Sequence, residues 1–211
     1  MSERVRIKIC GLTRPADALE AVRLGADFLG FVFAPASPRC LEVGTAAAWL
    51  PGLDTGLAKR VGVFQDQAAS RVNEVVHRLR LDLVQLHGHE PRDFPRALDV
   101  PAIVVRRGGG GSAVPLPPNV FAALLDAEDG SGRSGGLGLR LEDAVLRRLL
   151  ASLPASARVF LSGGFTAENV GAVVAIHHPF CVDVSSGVER APGLKDPVRL
   201  RNFFAALGRP V

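Results

Sequence analysis

Two reactive side chains stand at the ends of short apolar runs in this chain. Cys10 follows the run from Val5 to Ile9, and Asp126 follows a run that ends at Leu125. Apolar, β-branched runs of this length are typical of buried strands, and α/β folds expose chemistry where such strands end. A thiolate can take a proton and a carboxylic acid can give one. Cys10 also fits a small packing residue, as Cys40 does, but its position favours a base that faces Asp126 as an acid.

Glycine and serine follow the last two predicted strands. Gly163 and Gly164 come after one of them, and Ser185, Ser186 and Gly187 come after the next. Phosphate is commonly held at these two strand ends by backbone N–H groups, and glycine lets the backbone approach the phosphate oxygens closely. Either motif alone also fits a simple tight turn. Both motifs together favour a phosphate site.

Polar side chains at other strand ends complete the candidate site. Gln85 and His87 share one strand face, and His87 fits a hydrogen-bonding residue of the site better than a proton carrier. Asp183 lies within a strand and needs a partner, for which Lys8 and a substrate hydroxyl are the alternatives. Arg39 has a planar fork that suits a carboxylate, although a solvated surface arginine needs no ligand.

Alternating strand-like and helix-like segments would position these residues. The predicted strands span 4–9, 27–33, 59–64, 82–86, 102–105, 120–125, 158–161 and 181–184, and the predicted helices span 14–24, 43–50, 68–79, 92–98, 141–153, 167–176 and 197–207. Thr13, Thr166 and Asp196 are the expected N-caps. This alternation predicts an α/β protein with a single-domain (β/α)8 TIM barrel over residues 1–211. An open doubly wound sheet more often has a Gly-rich fingerprint after its first strand, and residues 10–13 do not form one.

One helix of the regular pattern is missing after the fifth predicted strand. Residues 107–118 hold four consecutive glycines and three prolines. This composition cannot form a regular helix. We expect a loop in place of the fifth helix.

Composition narrows the class of protein further. The 211 residues carry a net charge of +4, with basic residues scattered, no Tyr and one Trp. Nucleic-acid binders gather such charges into stripes, whereas a mild positive excess suits an anionic small molecule. No apolar run reaches membrane-spanning length and no leader opens the chain, so we expect a cytoplasmic protein without membrane contact. The cysteines, 3 in number and widely spaced, suit neither a disulfide framework nor a zinc site.

The sequence resembles the phosphoribosylanthranilate isomerase family of tryptophan biosynthesis. The matching stretches run in family order over nearly the whole chain, at 8–14, 30–33, 37–39, 61–64, 84–88, 124–126, 162–165, 168–169, 183–189 and 192–196. The opening Lys-Ile-Cys-Gly run and the closing Asp-Val-Ser-Ser-Gly-Val-Glu run are the most specific. The resemblance therefore rests on both ends of the chain together.

The resemblance implies an aldose–ketose isomerase that acts without cofactor or metal. Its reaction would be an Amadori rearrangement of N-(5-phosphoribosyl)anthranilate to 1-(2-carboxyphenylamino)-1-deoxyribulose 5-phosphate. The resemblance makes Cys10 the general base, Asp126 the general acid and Arg39 the ligand of the anthranilate carboxylate. It also places the phosphate near Gly163, Gly164, Ser185 and Ser186. The expected partner is this phosphosugar, bound by a monomer or homodimer.

Two other classes of protein are alternatives to this expectation, and one segment differs from the family's usual sequence. A phosphosugar isomerase of histidine biosynthesis, or a dual-substrate form, is one alternative, but that enzyme has a carboxylate where Cys10 stands. A catalytically inactive phosphate-binding barrel is the other, and intact Cys10 and Asp126 argue against it. After Asp126, Gly130-Ser131-Gly132 stands for the family's Gly-Gly-Thr-Gly segment, and the family's Phe-Asp-Trp triplet is missing.

Overall fold

Eight parallel strands close into a barrel in the order of the chain. They are β1 Arg6–Ile9, β2 Phe28–Val32, β3 Lys59–Phe64, β4 Leu83–Leu86, β5 Ala102–Arg106, β6 Val120–Asp126, β7 Val159–Ser162 and β8 Cys181–Val184. The computed structural model describes residues 4–106, 116–126 and 143–210, with residues 143–145 described by their backbone alone. The barrel confirms the predicted fold class.

Direct pairing of the first and last strands closes the barrel. Ile9 of β1 lies opposite Leu29 of β2 on one side and opposite Val184 of β8 on the other. Because all eight strands are parallel, their carboxyl ends meet at one rim. Strands β1 and β6 are separated only by β7 and β8 along the shorter path. Cys10 and Asp126 therefore face the same opening from different walls.

An apolar layer fills the barrel below this rim. It is a buried cluster that consists of Phe28, Val61, Leu83, Ile103, Ala122, Leu124, Phe160 and Cys181. Side chains alternate along a strand, so Leu124 points to the same interior as Asp126, and Cys181 to the same interior as Asp183. The polar residues of the rim therefore lie directly above a packed apolar layer.

Helices cover the outside of the barrel and connect successive strands. They are α1 Pro15–Arg23, α2 Val43–Ala47, α3 Ala69–Leu79, α4 Asp143–Ala151, α5 Ala167–His177 and α6 Pro197–Ala206. Their inner faces bury residues such as Ala18, Val76 and Phe203 in the main core cluster. Among the described helices, none has the length and apolar character that a membrane span requires.

Two helix predictions hold only in part, and prolines explain why. The predicted helix 92–98 is a short 3-10 turn, Phe94–Ala97, because Pro95 supplies no N–H for an α-helical hydrogen bond. The predicted helix 43–50 ends early as α2, and a second 3-10 turn with Pro51 follows it at Leu50–Gly52.

Two of the three predicted N-caps are right and one is wrong. Thr166 stands at the N-cap of α5, where its backbone N–H donates to Asn169 Oδ1. The Asp196 carboxylate accepts hydrogen bonds from the backbone N–H groups of Val198 and Arg199 and caps α6, as expected. Thr13 does not cap α1, whose N-cap is Arg14 without a side-chain bond. The Thr13 hydroxyl instead donates to the Gly193 carbonyl at 2.6 Å.

That contact ties the first strand end to a small hairpin between β8 and α6. The hairpin pairs β9 Glu189–Ala191 with β10 Leu194–Lys195 in antiparallel fashion. The predicted loop in place of the fifth helix falls mostly on residues 107–115, and the segment with the missing aromatic triplet falls on residues 127–142. Both lie outside the described residues.

Candidate active site

A cleft of about 390 Å³ opens at the carboxyl ends of the strands. Its walls include every site residue predicted from the sequence, namely Cys10, Arg39, Gln85, His87, Asp126, Gly163, Gly164, Asp183, Ser185, Ser186 and Gly187. The structure therefore brings the predicted acid, base, carboxylate ligand and phosphate loops to one place. Their chemical roles stay predictions.

Cys10 is half-buried directly after β1. Its backbone N–H donates to the carbonyl of Val184 at 2.9 Å, and its side chain packs against the apolar patch of Val32, Ala34 and Val63. Burial raises the pKa of the Cys10 thiol, and the positive charge of Lys8 opposes this shift without overcoming it. The thiolate is therefore a minor form of Cys10 in the free protein near pH 7.

The Cys10 side chain has space because Gly30, on the neighbouring strand β2, has no side chain. A Cβ at position 30 would lie 2.8 Å from the Cys10 sulfur and 3.0 Å from its Cα. Contacts this short force one of the two groups to move. The glycine therefore fixes how closely β2 approaches the candidate base.

A buried ion pair lies next to Cys10. The ammonium of Lys8 donates to Asp183 Oδ2 at 2.8 Å, and both side chains are almost fully enclosed. Burial alone would lower the pKa of Lys8, but the charges of Asp183 and Cys10 raise it well above its ordinary value. Of the two partners expected for Asp183, the structure shows Lys8. The second oxygen, Oδ1, is buried without a hydrogen-bond partner among the described residues, so it remains available to a substrate hydroxyl.

Gln85, His87 and Asp126, the candidate acid, form a row of polar contacts. Gln85 Nε2 lies 3.2 Å from His87 Nδ1, and His87 Nε2 lies 3.5 Å from Asp126 Oδ2. If the Gln85 amide donates to Nδ1, the neutral imidazole carries its proton on Nε2, which faces Asp126. Only 1% of the Asp126 side chain is exposed. The imidazole is therefore placed to orient Asp126.

Arg39 is positioned less simply than the sequence suggests. Its guanidinium makes a two-pronged ion pair with Glu189, with Nε 2.9 Å from Oε1 and Nη2 2.7 Å from Oε2. Arg39 still lines the cleft and keeps 16% of its side chain exposed. It is therefore neither a solvated surface arginine nor one that depends on substrate for its only partner.

The loops after β7 and β8 also line the cleft. Gly163 and Gly164 have φ values of 120° and 62°, a region that side chains disfavour. Gly187 lies so close to the Phe165 carbonyl that a Cβ would overlap it. The Ser185 hydroxyl is buried without a hydrogen-bond partner among the described residues. These loops offer closely spaced backbone N–H groups and a hydroxyl, which suits an anion.

Sequence reasoning missed two kinds of site residue. Glu189 and Lys195 lie in recognised motifs but had no assigned role, because the contacts that tie them to the site, from Glu189 to Arg39 and from Lys195 to the Cys10 carbonyl, join residues that are distant in the chain. The apolar residues Val32, Ala34 and Val63 also line the cleft and look like ordinary strand residues in the sequence. In the described part of the chain, no group of three or more His, Cys, Asp or Glu side chains could hold a metal ion.

Comparison with known proteins agrees with this geometry. The family model described as N-(5'phosphoribosyl)anthranilate (PRA) isomerase matches residues 7–206. A curated N-(5'-phosphoribosyl)anthranilate isomerase from Geobacter sulfurreducens is 42% identical over 204 residues, which cover 95% of this chain and 97% of the relative. The similarity thus spans the whole barrel.

Solved structures give the same result. The phosphoribosyl anthranilate isomerase of Thermus thermophilus has a TM-score of 0.83 and 38% identity, and the match covers 97% of this chain and 98% of that one. Another structure shows such an isomerase in complex with reduced 1-(o-carboxyphenylamino)-1-deoxyribulose 5-phosphate, at a TM-score of 0.77, 32% identity and the same coverage. Family model, relatives and structures agree, and the chain belongs to the phosphoribosylanthranilate isomerase family.

Proposed function

We propose that this protein converts N-(5-phosphoribosyl)anthranilate to 1-(2-carboxyphenylamino)-1-deoxyribulose 5-phosphate in tryptophan biosynthesis. The observation that carries the proposal is the shared cleft of Cys10 and Asp126, which the glycine- and serine-containing loops after β7 and β8 and Arg39 also line. A substrate with a phosphate at one end and a carboxylate at the other matches both. The chemistry between them is an Amadori rearrangement by general acid–base catalysis.

The first step opens the ribose ring. The Asp126 carboxylic acid donates a proton to the ring oxygen, the bond from C1′ to that oxygen breaks, and the nitrogen lone pair forms a C1′–N double bond. His87, whose Nε2 lies 3.5 Å from Asp126 Oδ2, orients the acid. A positioned proton donor contributes typically 10²–10⁴-fold to such a step.

The second step moves the double bond. The Cys10 thiolate takes the proton from C2′, and the electron pair of that C–H bond forms a C1′–C2′ double bond and returns the imine pair to nitrogen. The resulting enaminol gains a proton at C1′ and loses one from its 2′-hydroxyl. The proton for C1′ comes from the Cys10 thiol and the 2′-hydroxyl proton goes to the Asp126 carboxylate, so both groups return to their starting forms over the cycle.

The two ends of the substrate orient these steps. The phosphate lies against the loops that contain Gly164 and Gly187, and the anthranilate carboxylate lies against Arg39. Asp183 Oδ1 and Gln85 Oε1 are buried acceptors on the cleft walls without a hydrogen-bond partner in the described part of the chain, and they receive the hydroxyls of the opened sugar. Lys8 favours the thiolate of Cys10 electrostatically.

The proposal also covers assembly and location. All the proposed site residues come from one chain, so a monomer or a homodimer can act. Strand β1 pairs directly with β8, which supports a single domain over residues 1–211. The substrate carries a phosphate and a carboxylate, and such charges are costly to move through the apolar interior of a membrane. We therefore expect the enzyme to work where its substrate is made, in the cytoplasm. Nucleic acid and membrane have no part in the reaction.

Loss of substrate fluorescence tests the proposal directly. Freshly prepared N-(5-phosphoribosyl)anthranilate is fluorescent, and the enzyme is expected to consume it with formation of the ketone product. The aminoaldose substrate of the histidine pathway serves as the comparison. Turnover of that substrate alone, or of neither substrate, would contradict the proposal.

Replacing Gly187 by alanine is expected to raise KM at least about tenfold, because the phosphate then loses a charge-assisted contact. The new methyl group overlaps the Phe165 carbonyl and must push the two phosphate loops apart. Steady-state kinetics should show a smaller change in kcat. Gly44→Ala is the matched control, since a Cβ at that position meets nothing within 4 Å. An unchanged KM in folded Gly187→Ala would remove the loops from the phosphate site.

Replacing Arg39 by alanine is expected to raise KM about ten- to a hundredfold, which corresponds to one lost charge-assisted contact. The rate constant of the bound substrate should change much less, because Arg39 transfers no proton. Arg23→Ala is the control, because Arg23 makes the same two-pronged pair with Glu20 on the outer surface. Normal KM with abolished turnover would show that Arg39 has a different role.

A further inference from the structure

Two buried charges beside the cleft have no part in the proposed reaction. Glu189 begins β9 and Lys195 ends β10, and 3% and 0% of their side chains are exposed. Their charged atoms lie 2.8 Å apart. A buried ion pair is weak evidence for stability, because desolvation cancels much of the attraction. The other contacts of Glu189 and Lys195 indicate a role in positioning residues of the site.

Lys195 connects the hairpin to both sides of the catalytic rim. Its ammonium donates to the backbone carbonyls of Cys10 and Ser185 as well as to Glu189. An ammonium has three N–H groups, so all of them are used. Lys195 thus joins the end of β1, which carries the candidate base, to the end of β8, which carries a phosphate loop.

Glu189 connects the same lysine to Arg39. Besides Lys195 and the two-pronged contact with Arg39, it accepts a hydrogen bond from the backbone N–H of Gly193 at 3.2 Å. Burial alone would raise the pKa of Glu189, but Arg39 and Lys195 together hold it below its ordinary value. The carboxylate is therefore ionised and fully occupied, which leaves it no capacity for substrate.

The way in which Glu189 binds Arg39 decides what the guanidinium can do next. A guanidinium has two edges that match a carboxylate, one formed by Nε and Nη2 and one formed by Nη1 and Nη2. Glu189 occupies the first edge. Nη1 has no hydrogen bond to another described residue, and Arg39 lines the cleft. The second edge is thus free for a second carboxylate.

Gly11 restricts the path of the Arg39 side chain. It has a φ of +73°, and a Cβ there would lie 2.5 Å from Arg39 Cδ and 3.0 Å from the Ser185 hydroxyl oxygen. The aliphatic part of Arg39 therefore lies directly on the backbone after β1. Glu189 fixes the end of the side chain and Gly11 fixes its path.

We propose that Glu189 is a specificity-determining positioning residue, which holds one edge of Arg39 so that the other edge binds the anthranilate carboxylate. Lys195 anchors Glu189 and sets the distance from this carboxylate site to Cys10. The charges agree, since Arg39, Glu189 and Lys195 sum to +1 and one substrate carboxylate neutralises them. The inference rests on the proposed function.

Two probes that differ in one group test this role. The first is reduced 1-(2-carboxyphenylamino)-1-deoxyribulose 5-phosphate, and the second is its phenylamino counterpart without the carboxylate. In Glu189→Gln, calorimetry should show about tenfold weaker binding of the first probe, the size of one charge-assisted contact. Binding of the second probe should stay unchanged, because Lys195 keeps its contacts with the Cys10 and Ser185 carbonyls when Glu189 becomes glutamine.

Controls separate a positioning role from a structural one. Glu20→Gln breaks the same type of arginine pair on the surface of α1 and should bind both probes normally. If Glu189→Gln does not fold, Glu189→Asp keeps the charge beside Lys195 but withdraws it from Arg39, and the same selective loss is expected.

Three results would overturn the inference. Equal weakening of both probes would show a structural role for Glu189. Unchanged binding of both probes by the Glu189 variants would show that Arg39 needs no such support. If the wild-type protein bound neither probe, the proposed function would fail first, and the inference would fail with it.

Discussion

Replacing Cys10 by serine is expected to lower kcat at least about a hundredfold, at the lower end of what a general base contributes. A serine hydroxyl has nearly the shape of the thiol but is not ionised near neutral pH, so it cannot accept the C2′ proton. Burial already raises the pKa of Cys10, and the wild-type enzyme works with a small thiolate fraction. KM should change little, because phosphate and carboxylate are held elsewhere.

The other two cysteines provide the controls for this variant. Cys40 is half-buried outside the cleft, and Cys181 is buried in the floor of the barrel. Cys40→Ser and Cys181→Ser should have nearly normal kcat under the same assay. Near-normal turnover in folded Cys10→Ser would remove the thiolate from the mechanism. Asp183 or His87 would then have to take the C2′ proton.

Replacing Asp126 by asparagine is expected to lower kcat by a factor on the order of 10²–10⁴. The amide fills the same buried space beside His87 but has no acidic proton for the ring oxygen. The lost step is ring opening, so substrate should bind and remain cyclic. Steady-state and single-turnover rates should therefore fall together, with little change in KM.

A surface aspartate–histidine pair gives the matched control. Asp99 lies 2.7 Å from His77 Nε2 on the outside of the barrel, so Asp99→Asn makes the same chemical change next to the same kind of partner. Its kcat should be normal. If Asp126→Asn also turned over normally with its fold intact, another group in the cleft would have to supply the proton.

The barrel can be predicted from the sequence because each strand is a short apolar run that a polar or glycine residue ends. The predicted bounds of β3, 59–64, match Lys59–Phe64 of the structure. Errors occur where a local rule competes with a distant contact. Thr13 has the right type and position for an N-cap, but Gly193, 180 residues away, takes its hydroxyl.

In the candidate site, too, local patterns can be predicted from the sequence and distant contacts cannot. Strand alternation and the fold class are enough to place Cys10, Gln85 and Asp183 at one rim. The partner of Arg39 is 150 residues away in the chain, and no spacing rule indicates it. The roles of Glu189 and Lys195 can therefore be recognised only from the structure, in which the hairpin after β8 packs against the end of β1.

In the proposed reaction, Asp126 opens the ring and Cys10 then takes the C2′ proton. Quenching single turnovers with sodium borodeuteride tests this order directly, because deuterium enters at C1′ of a trapped imine and at C2′ of the ketone product. We expect the C1′ label in Cys10→Ser to exceed that of substrate without enzyme, and Asp126→Asn to show no such excess. Excess C1′ label in Asp126→Asn, together with none in Cys10→Ser, would contradict the account.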